Sequence, residues 1–237
     1  MKKRLAIIPA RGGSKRIPKK NIKDFCGNPI ISYVLEAVKS SNLFDTIHVS
    51  TDSNEIAKVV KKLGFSVDFM RKDELSDDYT PIMPVLKWVL EQYKNKGESF
   101  DEVAIIMPCA PFIESNDLLK ASNLLKENNL NKPVLAVSKY SAPIEWAFSM
   151  GEQGALYPMQ KEMLEKRSQD LNEYYFDTGS FAFFSSQYIL NSSNAGISSS
   201  YIGSIIDKYK AVDIDNLDDW KFAEAIFYGI NQLKSEK

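Results

Sequence analysis

The sequence has one histidine, two cysteines and almost no net charge, and each scarcity closes off a class of function. The lone His48 sits inside an apolar stretch, where it reads as a buried strand residue rather than a metal ligand or a catalytic base. Cys26 and Cys109 form neither a C-x-x-C pair nor a zinc spacing, and read as two buried or half-buried thiols. A net charge of -1 argues against a general binder of nucleic acid or membrane surface, so any cationic role must be local. No apolar run approaches the ~18–20 residues that span a bilayer. The first run, after Lys2-Lys3-Arg4, stops at Pro9 and is too short for a signal segment. No G-x-S-x-G elbow is present, which disfavours serine-triad hydrolysis. These absences predict a cytoplasmic protein whose 237 residues make one domain, with room for an insertion.

What is present is an alternation of strand and helix. Arg4–Pro9 has the continuous apolar pattern of a buried parallel strand. Asn28-Pro29 is expected to open a helix over Ile30–Lys39, with Asn as cap and Pro in the first turn. Further strands are expected at Thr46–Ser50, Ser66–Met70, Val103–Met107, Pro133–Val137, Phe176–Phe184 and Lys210–Ile214. Further helices are expected at Glu55–Leu63, Pro84–Lys94, Asp117–Lys126 and Asp218–Leu233. Such alternation predicts an α/β fold, a mostly parallel sheet flanked by helices. The pattern breaks between Ser138 and Asp177, which reads as an insertion within a single domain spanning 1–237.

Two segments carry chemistry. Residues 11–23 hold Arg11, Lys15, Arg16, Lys19, Lys20 and Lys23 with no acid, and Gly12, Gly13 and Ser14 lie among them. The run follows the first strand, at the carboxyl edge where open α/β sheets bind ligands. Glycines let backbone N–H groups approach an anion, and the cations neutralise it, a combination suited to a triphosphate. It is neither a Walker A loop nor G-x-G-x-x-G. Near the other end stands Asp213-Ile214-Asp215. Residues two apart in an extended chain face one side, so both carboxylates can converge on one hard cation such as Mg2+, with substrate phosphates completing its shell. Asp219 either supports that site or caps the following helix.

With those residues in view, the chain resembles the acylneuraminate cytidylyltransferase family, most closely its pseudaminic acid branch. The resemblance rests on IIPARGGSKRIPKKNIKDFCGNPII (Ile7–Ile31), VSTDSNEIA (Val49–Ala57), RKDELSDDYT (Arg71–Thr80), RSQDL (Arg167–Leu171) and VDIDNLDDW (Val212–Trp220). It implies a Rossmann-like, GT-A-like nucleotidyltransferase fold, with roughly 138–177 as a small dimerisation insertion of a homodimer. It also implies that CTP and a nonulosonic sugar acid are the substrates and Mg2+ the cofactor. Ala10, Arg11, Gly12, Gly13, Ser14, Lys15, Lys20 and Asn21 would form the nucleotide loop, with Arg71 and Asp78 on the nucleotide side. Asp213 and Asp215 would hold the metal. Met107, Arg167, Gln169 and Thr178 would face the sugar. Arg11 and Lys20 would offset charge in the transition state, and Asp215 or a metal-bound hydroxide would take the proton. Sialic-acid members carry QPTSPL where this chain reads Met107-Pro108-Cys109-Ala110-Pro111-Phe112, and asparagine-glycine where it reads Thr178-Gly179. The CAPF stretch matches the pseudaminic branch, which however often has DAGQ in place of Asp177-Thr178-Gly179-Ser180. Synthetases for N-acetylneuraminic, legionaminic or 3-deoxy-octulosonic acid are alternatives, as are a GT-A glycosyltransferase sharing D-x-D and a non-catalytic nucleotide sensor.

Overall fold

Leu5–Pro9 are all buried, as a strand covered on both faces must be, and they form most of β1 (Arg4–Pro9). In the computed structural model, which describes residues 2–192 and 200–236, β1 lies between two parallel neighbours. A two-residue hairpin follows, β2 (Asp24–Phe25) with β3 (Asn28–Pro29). Its turn residues, Cys26 at φ 51 and Gly27 at φ 96, have the paired positive φ that a tight hairpin requires. Next come α1 (Ile30–Ser40), β4 (Thr46–Ser50), α2 (Asn54–Lys62), α3 (Ile82–Asn95), β5 (Glu102–Ile106), α4 (Ser115–Glu127) and β6 (Val134–Lys139). The chain then leaves the sheet for the small hairpin of β7 (Phe148–Met150) and β8 (Leu156–Pro158). It returns as β9 (Tyr175–Ser185), followed by α5 (Ser186–Asn191), β10 (Ile202–Ile205) and α6 (Leu217–Ser235).

Among the described residues the main sheet runs β10-β6-β9-β5-β1-β4. All pairings are parallel except those of β9, which lies antiparallel to both β5 and β6. Side chains alternate across it. Ala6 and Ile8 join a core with Ile31, Val34 and Leu35 of α1 and Leu118, Ala121 and Leu125 of α4. Leu5 and Ile7 point the other way, to Leu86, Val89 and Tyr93 of α3. A third apolar cluster caps the carboxyl edge and joins Ile17, Phe25, Phe112, Ile214 and Trp220. The mostly parallel α/β architecture expected from the sequence is therefore present.

Three local expectations are corrected. Ser66–Met70 is irregular rather than a strand. Val67 packs on one core and Phe69 on the other, against His48 with ring centroids 4.3 Å apart, while Asp68 accepts hydrogen bonds from Ser66 and Tyr93. Asn28 does not cap α1, because Asn28 and Pro29 are used in the hairpin and Pro29 occupies the cap position without a side-chain bond. Lys210–Ile214 is not a strand either. A 3-10 turn spans Lys208–Lys210 and the residues after it have no ladder partner. The last strand is instead Ile202–Ile205, which pairs with β6.

Candidate functional site

The loops leaving the carboxyl ends of β1 and β5, the Thr178–Ser180 stretch of β9 and the segment after β10 converge on one cavity of about 600 Å3. That volume lies within the usual range for a small-molecule site. Its walls include Arg11, Ser14, Lys15, Arg16, Lys20 and Asn21 from the basic loop, and Arg71 and Asp78 from the segment before α3. Met107–Ala110, Thr178–Ser180 and Val212–Asp215 complete it. Ala10, Gly12 and Gly13 do not line it. Ala10 is fully buried and its N–H donates to Ser50 O at 2.9 Å. The Gly12 N–H donates to Asp52 Oδ1 at 2.8 Å, and a Cβ at Gly12 would meet Ser53 Cβ at 3.0 Å. Glycine is needed here so that the loop can close on the start of α2, and that N–H is not free for a phosphate.

Each cation of the loop has a definite post. Arg11 Nη1 donates to Asp78 Oδ1 at 2.6 Å and to Asp77 O at 2.7 Å, and Lys15 pairs with the other oxygen of Asp78. Hydrogen bonds from Lys15 and then Arg11 hold the Asp78 carboxyl below the usual carboxylate range. Arg16 clasps Asp215 with both terminal nitrogens, at 3.0 Å each. Lys20 donates to Ile214 O at 2.6 Å and stands 3.6 Å from Asp215. Lys19 and Lys23 face elsewhere, to Glu55 at 2.7 Å and over the Trp220 ring at 4.9 Å.

Asn21 is buried and anchored at both ends of its amide. Its Nδ2 donates to Arg11 O at 2.9 Å and its Oδ1 accepts from the Cys109 thiol at 3.3 Å. Burial, opposed by Lys20 and reinforced by Asp213 and Asp215, pushes the Cys109 thiol up to about 12, so it stays a donor. Arg71 is buried too. Its Nε and Nη2 donate to Ser50 Oγ and Ser50 O at 3.0 and 2.6 Å, and desolvation lowers it to about 10, still fully charged at neutral pH.

The acidic pair stands beside Arg16 and Lys20 on the cavity wall. Ile214 turns into the apolar cluster while Asp213 and Asp215 turn outward, so the alternation expected of a strand survives without one. Desolvation, then the charge of Asp215, raises the Asp213 carboxyl above its ordinary range. Two crowded carboxylates of this kind suit a hard divalent cation. Among the described residues no group of three or more His, Cys, Asp or Glu could hold a metal, so this pair needs ligand oxygens to complete a shell. Asp219 completes the capping box of α6, whose N-cap is Asn216: its Oδ2 accepts from the N–H groups of Asp215 and Asn216, both at 2.9 Å.

On another part of the wall β9 bulges between Asp177 and Ala182, a frequent device beside binding sites. The Thr178 hydroxyl, expected to meet substrate, is turned inward and donates to Ala136 O at 3.1 Å. It thereby occupies a carbonyl in the stretch where the ladder register shifts. Met107 is 38% exposed and does face the cavity. Arg167 and Gln169 are not brought to it. Arg167 pairs with Asp170 at 2.9 Å on the surface, and Gln169 lines a separate cleft of about 370 Å3 with Tyr140 and Glu173. Both lie in the excursion between β6 and β9, away from the cavity of the same chain.

Comparison with known proteins agrees with this geometry. The profile of the family described as Cytidylyltransferase matches residues 5–194. The chain belongs to that family. It is 36% identical over 229 residues to a pseudaminic acid cytidylyltransferase of Campylobacter jejuni serotype O:2, covering 97% of each chain. It is 29% identical over 228 residues to the CMP-N,N'-diacetyllegionaminic acid synthase of Legionella pneumophila, covering 94% of this chain and 95% of that one. Among solved structures, a CMP:2-keto-3-deoxy-manno-octonic acid synthetase complexed with CTP superposes with a TM-score of 0.70 at 17% identity, covering 96% and 99% of the two chains. That likeness establishes the nucleotidyltransferase fold. Membership in the cytidylyltransferase family also separates the chain from the glycosyltransferases that share a D-x-D.

Arg16 also lines the cavity, although it is not among the loop residues that the resemblance implies. Six cations in thirteen positions give no sign of which ones turn inward.

Proposed function

We propose that this cytidylyltransferase condenses CTP with a nonulosonic acid, pseudaminic acid by preference, to give the CMP-sugar and diphosphate. The observation that carries the reading is the cavity itself, which Arg11, Lys15, Arg16 and Lys20 line together with Asp213 and Asp215. The choice of sugar is supported by the end-to-end similarity to a protein named for that acid.

In this reaction the anomeric hydroxyl oxygen bonds to the α-phosphorus, the bond from that phosphorus to the bridging oxygen breaks, and diphosphate departs with the electron pair. The hydroxyl proton leaves toward the acidic pair, where Asp215 is our candidate acceptor. Transfers of this type gain mainly from positioning and charge stabilisation. Arg11 and Lys20 offset the negative charge on the α-phosphate and leaving group, with Lys15 and Arg16 beside them. Arg71 and Asn21, both fixed in place by neutral partners, serve the cytidine end. Asp213 and Asp215 would hold Mg2+, which supplies charge neutralisation at the phosphate and sugar oxygens when bound. A cytoplasmic site of action is part of the proposal, since CTP is the substrate.

We assign the excursion between β6 and β9 to a homodimer contact. Its hairpin exposes Phe148, Met150, Leu156, Tyr157 and Met159, an apolar surface unusual for a small monomer. Arg167 would then meet a sugar carboxylate through the second subunit, its planar guanidinium matching the fork.

The deciding experiment is diphosphate release from CTP and Mg2+ with pseudaminic, legionaminic and N-acetylneuraminic acids side by side. Turnover highest with pseudaminic acid is expected. Binding of CTP without release with any acid would leave a nucleotide sensor instead.

A further inference from the structure

Lys210 is a buried lysine that the steps above do not use. It is 5% exposed, and its Nζ donates to Asp117 Oδ2 at 2.7 Å and Glu114 Oε2 at 2.9 Å. Burial works to lower its pKa, but the two carboxylates outweigh that and hold it above the ordinary lysine range. Asp117 is itself buried and also accepts from the Glu114 N–H at 3.0 Å, closing the capping box of α4. Both acids sit at the N-terminal turn of a helix of 13 residues, where the backbone favours negative charge. The site is a cation locked between two carboxylates, and the other oxygen of Glu114 stands 3.6 Å from Lys234.

Its place in the chain gives it a task. Three residues after Lys210 comes Asp213, on a segment without ladder hydrogen bonds. What fixes the downstream end of that segment is the Asp219 cap on Asp215, and what fixes its middle is Lys20 on Ile214 O. The upstream end is fixed by Lys210. Its anchor is the entrance of α4; the chain running into that entrance lines the same cavity at Met107–Ala110 and then packs Phe112 beside Ile214.

We infer that Lys210 is a positioning residue that sets where Asp213 and Asp215 stand, by tying the acidic segment to the entrance of α4 through Glu114 and Asp117. The inference rests on the reading of the acidic pair as the metal-holding residues. Lys210 touches neither the metal nor CTP. It acts through three residues of backbone, as outer partners do when they orient metal ligands.

The test is Mn2+ binding to the CTP complex without sugar acid, followed by the paramagnetic resonance signal of free Mn2+, so that no turnover is needed. Lys210→Met is expected to raise the Mn2+ Kd at least about 10-fold, the common scale for loss of an outer partner. Metal-free CTP binding by calorimetry should stay unchanged, and Lys210→Arg should recover much of the metal affinity. A folded Lys210→Met protein with the wild-type Mn2+ Kd overturns the inference, because a purely structural lysine would lower the melting temperature and leave that Kd alone. Should Lys210→Met not fold, Glu114→Gln keeps the Lys210–Asp117 pair and must shift the Kd in the same direction, or the inference falls. A wild-type CTP complex that holds Mn2+ no more tightly than CTP alone overturns the metal reading of Asp213 and Asp215, and this inference with it.

Discussion

Arg16 Nη1 and Nη2 each stand 3.0 Å from a carboxylate oxygen of Asp215, a two-point clasp between residues 199 apart in sequence. The clasp joins the basic loop to the acidic segment, and it occupies the very carboxylate a metal would need. A triphosphate arriving with its cation must therefore exchange partners with this pair. Exposed ion pairs are worth roughly 0–1 kcal/mol, so the exchange is cheap.

Arg16→Met should accordingly have opposite effects on the two ligands. Mn2+ binding without nucleotide is expected to tighten, by up to about fivefold for an exposed pair of that strength. The KM for CTP is expected to rise, since a cation facing the triphosphate is gone. Calorimetry and initial rates measure the two. A variant that alters neither would show that the clasp is only a surface contact.

Asp213→Ala and Asp215→Ala should each abolish CMP-sugar formation while leaving the fold intact, because both side chains line the cavity and Ile214 carries the packing. Rates measured across a Mg2+ titration check this. Survival of activity in both variants, with unchanged Mg2+ dependence, would remove the metal from this pair.

For Arg11→Ala and Lys20→Ala the expected loss in kcat/KM is at least ~100-fold, on the order of 2.7 kcal/mol for one lost transition-state contact. The loss should fall mainly on kcat. Near-normal turnover in either variant would count against the basic loop as the charge-stabilising element.

His48 makes stability depend on pH. It is fully buried, its two ring nitrogens have no hydrogen-bond partner among the described residues, and desolvation lowers it from 6.5 to about 4. The unfolded chain therefore binds the extra proton first, and stability rises with pH. The contribution is complete above about pH 6.5 and is lost as pH falls toward about 4. The size is roughly 3 kcal/mol, from about 1.4 kcal/mol for each pKa unit. Melting temperatures between pH 4.5 and 7.5 read it out. His48→Phe, which keeps an aromatic ring against Phe69, should flatten that part of the profile; an unaltered acid slope would assign it to other groups.

The parallel sheet and most of its helices could be read from the sequence because burial on both faces forces apolar runs, as in Leu5–Pro9 and Val103–Ile106. The same logic fails at Ser66–Met70, where Val67 and Phe69 pack on different cores and the Asp68 carboxylate accepts from the Ser66 and Tyr93 hydroxyls. At the acidic pair the expected alternation has another cause. Asp213 and Asp215 do face one way, yet Lys210, Lys20 and Asp219 hold them there, not a ladder. Local pattern carries no record of such distant tethers. The inward turn of Thr178 is invisible for the same cause, since it answers a carbonyl on another strand, that of Ala136.

The register of β6 against β9 has one more consequence. Lys139 lies directly opposite Tyr175, so the excursion between them begins and ends at a single rung of the sheet. Its two stems are already neighbours, and the cost of closing such a loop grows only slowly with its length. The excursion can thus be lengthened, shortened or exchanged without disturbing the register of any strand. In this architecture the part proposed to meet another subunit is an interchangeable fitting on a fixed frame, free to diverge while the nucleotide cavity stays as it is.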